Sequence, residues 1–158
     1  MEFGRAVRDP WVWGQLALIA TVVALSGPLA RQLPGQGGGW TRWAGFSLLA
    51  LGLSIMIRGA ADLGRSLTPA TEPVADGQLV TRGLYEFVRH PIYLGVSLTL
   101  MSVPLLSRNW LLALVVFAIA LGYFEGKARV EERKLRVRFP RYREYAALVP
   151  RLLPFGWK

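Results

Sequence analysis

Four stretches of this chain run without Asp, Glu, Lys or Arg over lengths that matter to a bilayer: Pro10–Ala30, Trp43–Ile57, His90–Ser107 and Asn109–Phe124. About 20 helical residues cross the hydrocarbon core, and backbone amides in lipid must be satisfied within their own segment, so these stretches predict helices. The first, at 21 residues, suffices alone. The second has 15 and reaches span length by continuing to Ala61, with Arg58 snorkelling to the headgroups. The third and fourth are parted only by Arg108, which predicts a tight hairpin, with Pro104 kinking or ending the third helix. The expected fold class is all-α: a polytopic membrane helical bundle of about four transmembrane helices with a cytoplasmic C-terminal helical extension. It is read as one domain over 1–158, with two N-terminal spans in 1–61 and the core of the site in 62–158.

Composition agrees. Hydrophobic residues make up 53% of the chain and charged residues 18%, below the roughly 25% of soluble domains. The absence of cysteine and the presence of one histidine, His90, exclude disulfides, thiolate metal sites and multi-histidine centres. No metal is expected.

The net charge of +9 is uneven, for residues 126–158 hold ten Lys/Arg against three Glu. A basic tail beside greasy segments reads as a flank on anionic lipid, and not as a nucleic-acid interface. The N-terminus, the central loop and the tail together carry sixteen Lys/Arg, against three (Arg31, Arg42 and Arg108) on the other side. The positive-inside rule then puts both termini in the cytoplasm, in a cell inner membrane. Arg5 and Arg8 ahead of the first span imitate a signal peptide, but the charge count fits better with that span retained. Trp11, Trp13, Trp40, Trp43 and Trp110 all fall at expected interfaces, where amphipathic rings belong. The glycine-rich turn 33–39 is expected to be flexible and without chemistry.

Two segments carry chemistry. The central loop, 62–89, is marked as extended or turn structure by Thr68-Pro69, Glu72-Pro73 and Asp76-Gly77. It leads into Gly83-Leu-Tyr-Glu-Phe-Val-Arg-His-Pro-Ile-Tyr-Leu-Gly95. Pro91 suits the first turn of a helix, and the amides after it face the aqueous side, where an anionic group can be received. Arg89 adds charge, His90 a titratable nitrogen at an edge where imidazole is easily solvated, and Tyr85 and Tyr93 aromatic faces. An interfacial cap touching lipid phosphate explains the same residues. The second segment follows the fourth span: Leu111–Phe139 reads as one helix of about 43 Å, a third of it beyond the bilayer. Glu125–Arg129 and Glu132–Arg136 have the favourable i,i+4 order. A solvated, self-paired basic helix is the plain alternative, set against the adjacent acidic pair Glu131-Glu132.

Together, Gly83-x-Tyr85-x-x-x-Arg89-His90-Pro91-x-Tyr93-x-Gly95 and the later Arg129-x-Glu131-Glu132 resemble the integral-membrane methyltransferases of the isoprenylcysteine carboxyl methyltransferase and phospholipid methyltransferase group. The resemblance runs from about Asp62 to the C-terminus. It implies S-adenosylmethionine as methyl donor and a lipid-linked or prenylated acceptor, carboxylate or amine, entering laterally from the bilayer. Carried over by position, Tyr85, Arg89, His90, Pro91, Tyr93, Gly95, Glu131 and Glu132 would bind the cofactor. His90, Arg129 and Glu131 would be the catalytic candidates, and Gly83 and Gly95 would allow close backbone approach. Of the two glutamates, either both face the cofactor or one faces it while the other anchors Arg129. An NADPH-dependent reductase of the sterol type, and a non-catalytic membrane protein on the same scaffold, are the alternatives.

Overall fold

A computed structural model describes residues 7–154. The helices are α1 (Pro10–Gln32), α2 (Gly39–Leu63), α3 (Pro91–Leu106), α4 (Trp110–Arg138) and a short α5 (Tyr142–Leu148). No strand occurs among the described residues, beyond one isolated bridge pairing Gln36 with Asn109. α1, α2 with its 3-10 continuation, and α4 are long and apolar enough to cross a membrane, while α3 is a shorter apolar helix. The all-α membrane bundle expected from the uncharged stretches is therefore observed. α5 is an element that the chain's charge and breaker pattern does not announce.

α3 is the hub. α2 packs along its length, α4 packs on another side, and α1 touches both α3 and α4. The outward faces of α1 and α2 carry exposed Val23, Leu25, Phe46, Leu51 and Ile57, as lipid contact requires. Trp13, Trp40 and Trp43 are exposed too. The α2–α3 seam rests on glycine. Gly45, Gly52 and Gly59, seven residues apart, are buried on one face of α2. They face Leu106, Thr99 with Gly95, and Ile92 with Pro91, in that order along α3. Small residues at such spacing let helix backbones close to van der Waals distance, the main source of helix association in lipid.

Pro104 ends α3 and does not kink it mid-way: it sits in the last turn, and Arg108 then takes the left-handed conformation at φ 63°. Asn109 caps α4 by accepting from Leu112 N–H at 2.8 Å. Its amide nitrogen reaches across to the carbonyls of Ala30, Leu33 and Pro34 at 3.1–3.3 Å. The backbone joins in, with Gly37 N–H donating to Arg108 and Trp110 N–H to Gly35. The turn expected to be flexible is thus clasped to the α3–α4 hairpin. Asn109→Asp keeps the cap but loses the three donations of the side-chain amide and buries a charge at a position with no exposure. We predict a loss of about 1–3 kcal/mol, seen as earlier thermal unfolding in detergent. An unchanged midpoint would show that the clasp contributes nothing.

At the opposite end, Asp9 caps α1 through Trp11 N–H and accepts from Thr71 N–H at 2.6 Å and Thr71 Oγ1 at 2.8 Å. Burial alone raises this carboxyl, yet the bonds from Thr71 and Trp11 and the charge of Lys127 hold it below its ordinary value. The carboxylate thereby fastens the central loop over the ends of α1 and α4. That loop is irregular between its 3-10 turns at Gly64–Ser66 and Gly83–Glu86. Gly77 N–H closes the expected Asp76-Gly77 turn on Val74.

Candidate active site

Roofed by the central loop, a cavity of about 300 Å³ lies where α3 begins and α4 leaves the bundle. The size is at the lower bound of small-molecule sites. Pro91 starts α3, so Arg89 and His90 sit just outside it and Tyr93 within its first turn. On α4 the i,i+4 series Lys127, Glu131 and Leu135, continued by Phe139 just past the helix end, faces the cavity, whereas Phe124, Ala128 and Glu132 form a buried strip about 100° away. α5 contributes Tyr142 and Tyr145, and the loop contributes an apolar wall including Leu67, Val74, Leu79 and Val80.

Tyr93 is the centre of the aromatic floor. Its ring is parallel to His90 at 5.1 Å and stacks on Phe124 at 5.0 Å. Its hydroxyl donates to Glu131 Oε2 at 2.7 Å. Lys127 Nζ stands 5.3 Å from the same ring and donates to Gln15 Oε1 at 2.7 Å and to the Pro69 carbonyl at 3.0 Å. This lysine is 1% exposed. An ammonium has three donors, and these two contacts engage two of them.

Glu132 does different work from Glu131. It is 1% exposed and is surrounded by cations. Arg151 donates to it from Nε at 2.9 Å, and His90 Nε2 lies 3.3 Å from Oε1. Arg89 Nε is also 3.3 Å away, an ion pair without the alignment of a hydrogen bond. Arg151 continues to Glu125, and its segment straps the site by backbone: Arg89 N–H donates to the Pro150 carbonyl and His90 N–H to that of Arg151. Leu152, next along, is in the hydrophobic core.

Tyr85, Arg89, His90, Tyr93 and Glu131, all singled out by the sequence, are thus assembled on one cavity. Five others are placed elsewhere. Arg129 points away from it, 67% exposed at the side chain and paired with Glu125 at 3.0 Å. Glu132 stands behind the wall and anchors Arg151, Arg89 and His90, in place of the Arg129 expected as its partner. Pro91 and Gly95 lie in the α2–α3 seam, where a Cβ on Gly95 would be 2.8 Å from the Gly52 carbonyl oxygen. Gly83 has φ 65°, and its bare Cα lets Asp62 accept from Leu84 N–H at 3.0 Å. His90 is not the solvated edge group expected from its place in the sequence; it is 7% exposed between two carboxylates. Lys127, Arg151, Tyr142 and Gln15 were not singled out. Only Lys127 carried a usable signal, being four residues before Glu131 and hence on its face.

Among the described residues no group of three or more His, Asp or Glu could hold a metal. Burial pushes the Tyr85, Tyr142 and Tyr145 phenols above their ordinary value, so each is a neutral hydroxyl. The site therefore offers hydrogen bonds, aromatic faces, one accessible carboxylate and two buried cations.

Residues 46–137 match the model of the isoprenylcysteine carboxyl methyltransferase (ICMT) family. Among curated proteins, Protein-S-isoprenylcysteine O-methyltransferase B of Arabidopsis thaliana is 29% identical over 73% of this chain and 60% of its own length. Methanethiol S-methyltransferase 1 of Bradyrhizobium diazoefficiens is 41% identical over 46% of this chain and 25% of its own. Protein-S-isoprenylcysteine O-methyltransferase of Schizosaccharomyces pombe is 28% identical over 67% and 46%. The chain thus spans less than two thirds of each of these relatives. The family match runs from α2 through the His90 segment to nearly the end of α4, so it takes in both walls of the cavity. The chain belongs to the isoprenylcysteine carboxyl methyltransferase family.

Proposed function

We propose that this protein is a membrane-embedded methyltransferase that uses S-adenosylmethionine and acts on a lipid-like or prenylated carboxylate. The observation that carries the reading is the meeting of Glu131, Tyr93, Lys127, Arg89 and His90 on one cavity at the basic end of the bundle. When bound, that donor supplies a methyl group on a sulfonium, transferred in line with loss of the positive charge.

The lining fits it. Glu131 and the Tyr93 face suit the cationic sulfonium and ammonium. Arg89 and Lys127 suit carboxylates, and the loop's Leu and Val side chains suit a flat base. The residues' work is alignment and exclusion of water, the central loop closing from above and α3 from below. A carboxylate acceptor needs no general base, and two buried cations beside it disfavour an ammonium competitor. The names of the two O-methyltransferase relatives support a carboxylate. The cavity shares its side of the bundle with most of the basic residues, which supports a cytoplasmic placement of the site and both termini.

The test is transfer of labelled methyl from S-adenosylmethionine to a membrane lipid extract and to a prenylated cysteine, by the purified protein in detergent. We expect base-labile label, since a methyl ester hydrolyses where an N-methyl group does not. In vesicles, activity with external donor should appear only in the inside-out orientation. Base-stable label would move the acceptor to an amine, and absence of both binding and transfer would refute the reading.

A further inference from the structure

The part of the central loop that roofs the cavity is a closed plate between two turns. Ser66 Oγ accepts from Gln78 N–H at 3.0 Å and donates to the Gln78 carbonyl at 3.2 Å, so residues 66–78 are tied into a ring. Outside that ring lie Gly64 and Gly83, left-handed at φ 51° and 65°, a conformation glycine enters at no steric cost. Moving segments turn on a few such positions that absorb the backbone rotation. The plate lines the cavity with Leu67, Pro73 and Val74.

Its polar ties to the bundle are confined to residues 69–75. Thr71 donates to Asp9 of α1 from its N–H and its Oγ1, and both bonds end on the one atom Oδ2. From α4, Lys127 donates to the Pro69 carbonyl at 3.0 Å, and Lys134 reaches Thr71 Oγ1 at 3.0 Å and Glu72 at 2.6 Å. Arg138 donates to the Ala75 carbonyl. At about 100° per residue, positions 127, 134 and 138 share one face of α4. Exposed ties of this kind exchange for water at small net cost, whereas the two on the Asp9 carboxylate are buried and charge-assisted. Asp9 Oδ2 is therefore the central fastening.

We propose that residues 66–78 are a hinged lid latched by Asp9, and that this latch gates passage of the methyl donor into and out of the cavity. The gating rests on the S-adenosylmethionine reading of the site; the latch does not. It gives α1, which lies outside the residues matched to the family, a part in ligand exchange.

Two variants release the latch. Asp9→Asn leaves one oxygen to cap α1 and puts an amide against the Thr71 donors, while Thr71→Val removes the hydroxyl alone. The chain has no cysteine, so a single thiol can be placed in the plate at Ala70, 2% exposed, and its reaction with a soluble maleimide followed in detergent. Either variant should speed the reaction of Ala70→Cys tenfold or more and leave that of Ala113→Cys, fully buried in α4, unchanged. Uptake and release of labelled S-adenosylmethionine should both accelerate, with equilibrium affinity moving less than either rate, a split that a purely structural role does not produce. Unchanged Ala70→Cys rates in both variants overturn the lid. A rise at Ala70 and Ala113 together also overturns it, reducing Asp9 to a fastening of the whole bundle. A faster thiol reaction with unchanged donor exchange overturns the gating. Wild type that binds no donor refutes the functional reading and the gating with it, and the latch is then decided by the thiol rates alone.

Discussion

Changing Glu132 to Gln should cripple folding, while the same change at Glu131 should spare folding and remove ligand binding. The two are adjacent, but about 100° of helix separates them. Glu132 is the counter-charge for Arg151, Arg89 and, at 3.6 Å, Arg136, at a site with almost no solvent. Removing one side of a buried ion cluster leaves the other side uncompensated, at a cost of about 3–5 kcal/mol. The strap would then lose its hold on the Arg89 and His90 backbone. Glu131 instead has one hydroxyl partner and a face on the cavity. Its amide can still accept from Tyr93, but it cannot neutralise a cationic ligand. We expect at least a tenfold loss of S-adenosylmethionine affinity, equivalent to about 1.4 kcal/mol. Thermal unfolding in detergent and calorimetric titration read the two quantities separately. Two variants with matching stability and matching affinity would refute this division of labour.

That division also marks where sequence reading stops. The spans were legible because charge-free length is itself the physical requirement for crossing lipid, and α1 to α4 fall within a few residues of the expected bounds. The His90 segment was legible because a proline at a helix start puts its preceding residues at the mouth of the bundle. Partners distant in the chain were not. Asp9 meets Thr71 across 62 residues, and Arg151 meets Glu132 across 19 with a helix break at Pro140 between, so no periodicity links either pair. Arg129 misled because the order of residue types says nothing about azimuth, and its azimuth is outward. Lys127 was overlooked inside a run that reads as solvated charge, although its spacing from Glu131 placed it on the cavity face. The heptad of Gly45, Gly52 and Gly59 could have been read too, for evenly spaced glycines in a membrane helix mark a face of close approach.

Gly52→Leu should break that face and, through it, the site. Of the three glycines, Gly52 is nearest backbone: a Cβ there would lie 2.7 Å from the Gly95 carbonyl oxygen and 2.9 Å from the Thr99 amide nitrogen. Those atoms belong to the interior of α3 and cannot swing aside as a side chain can. α2 and α3 must separate, and overpacking of this kind costs about 1–3 kcal/mol even where a core can adjust. Here the first turn of α3 moves with the seam, since Pro91 and Ile92 pack on Gly59 one heptad along. His90 and Tyr93 are then drawn off Glu132 and Glu131. Gly122→Ala is the control: on α4, nothing lies within 4 Å of an added Cβ, and alanine favours helix over glycine. We therefore expect Gly52→Leu to unfold at lower temperature and lose ligand binding together, and Gly122→Ala to match or exceed wild type in both. If Gly52→Leu kept wild-type ligand affinity while only its stability fell, the seam would support the bundle without positioning the site.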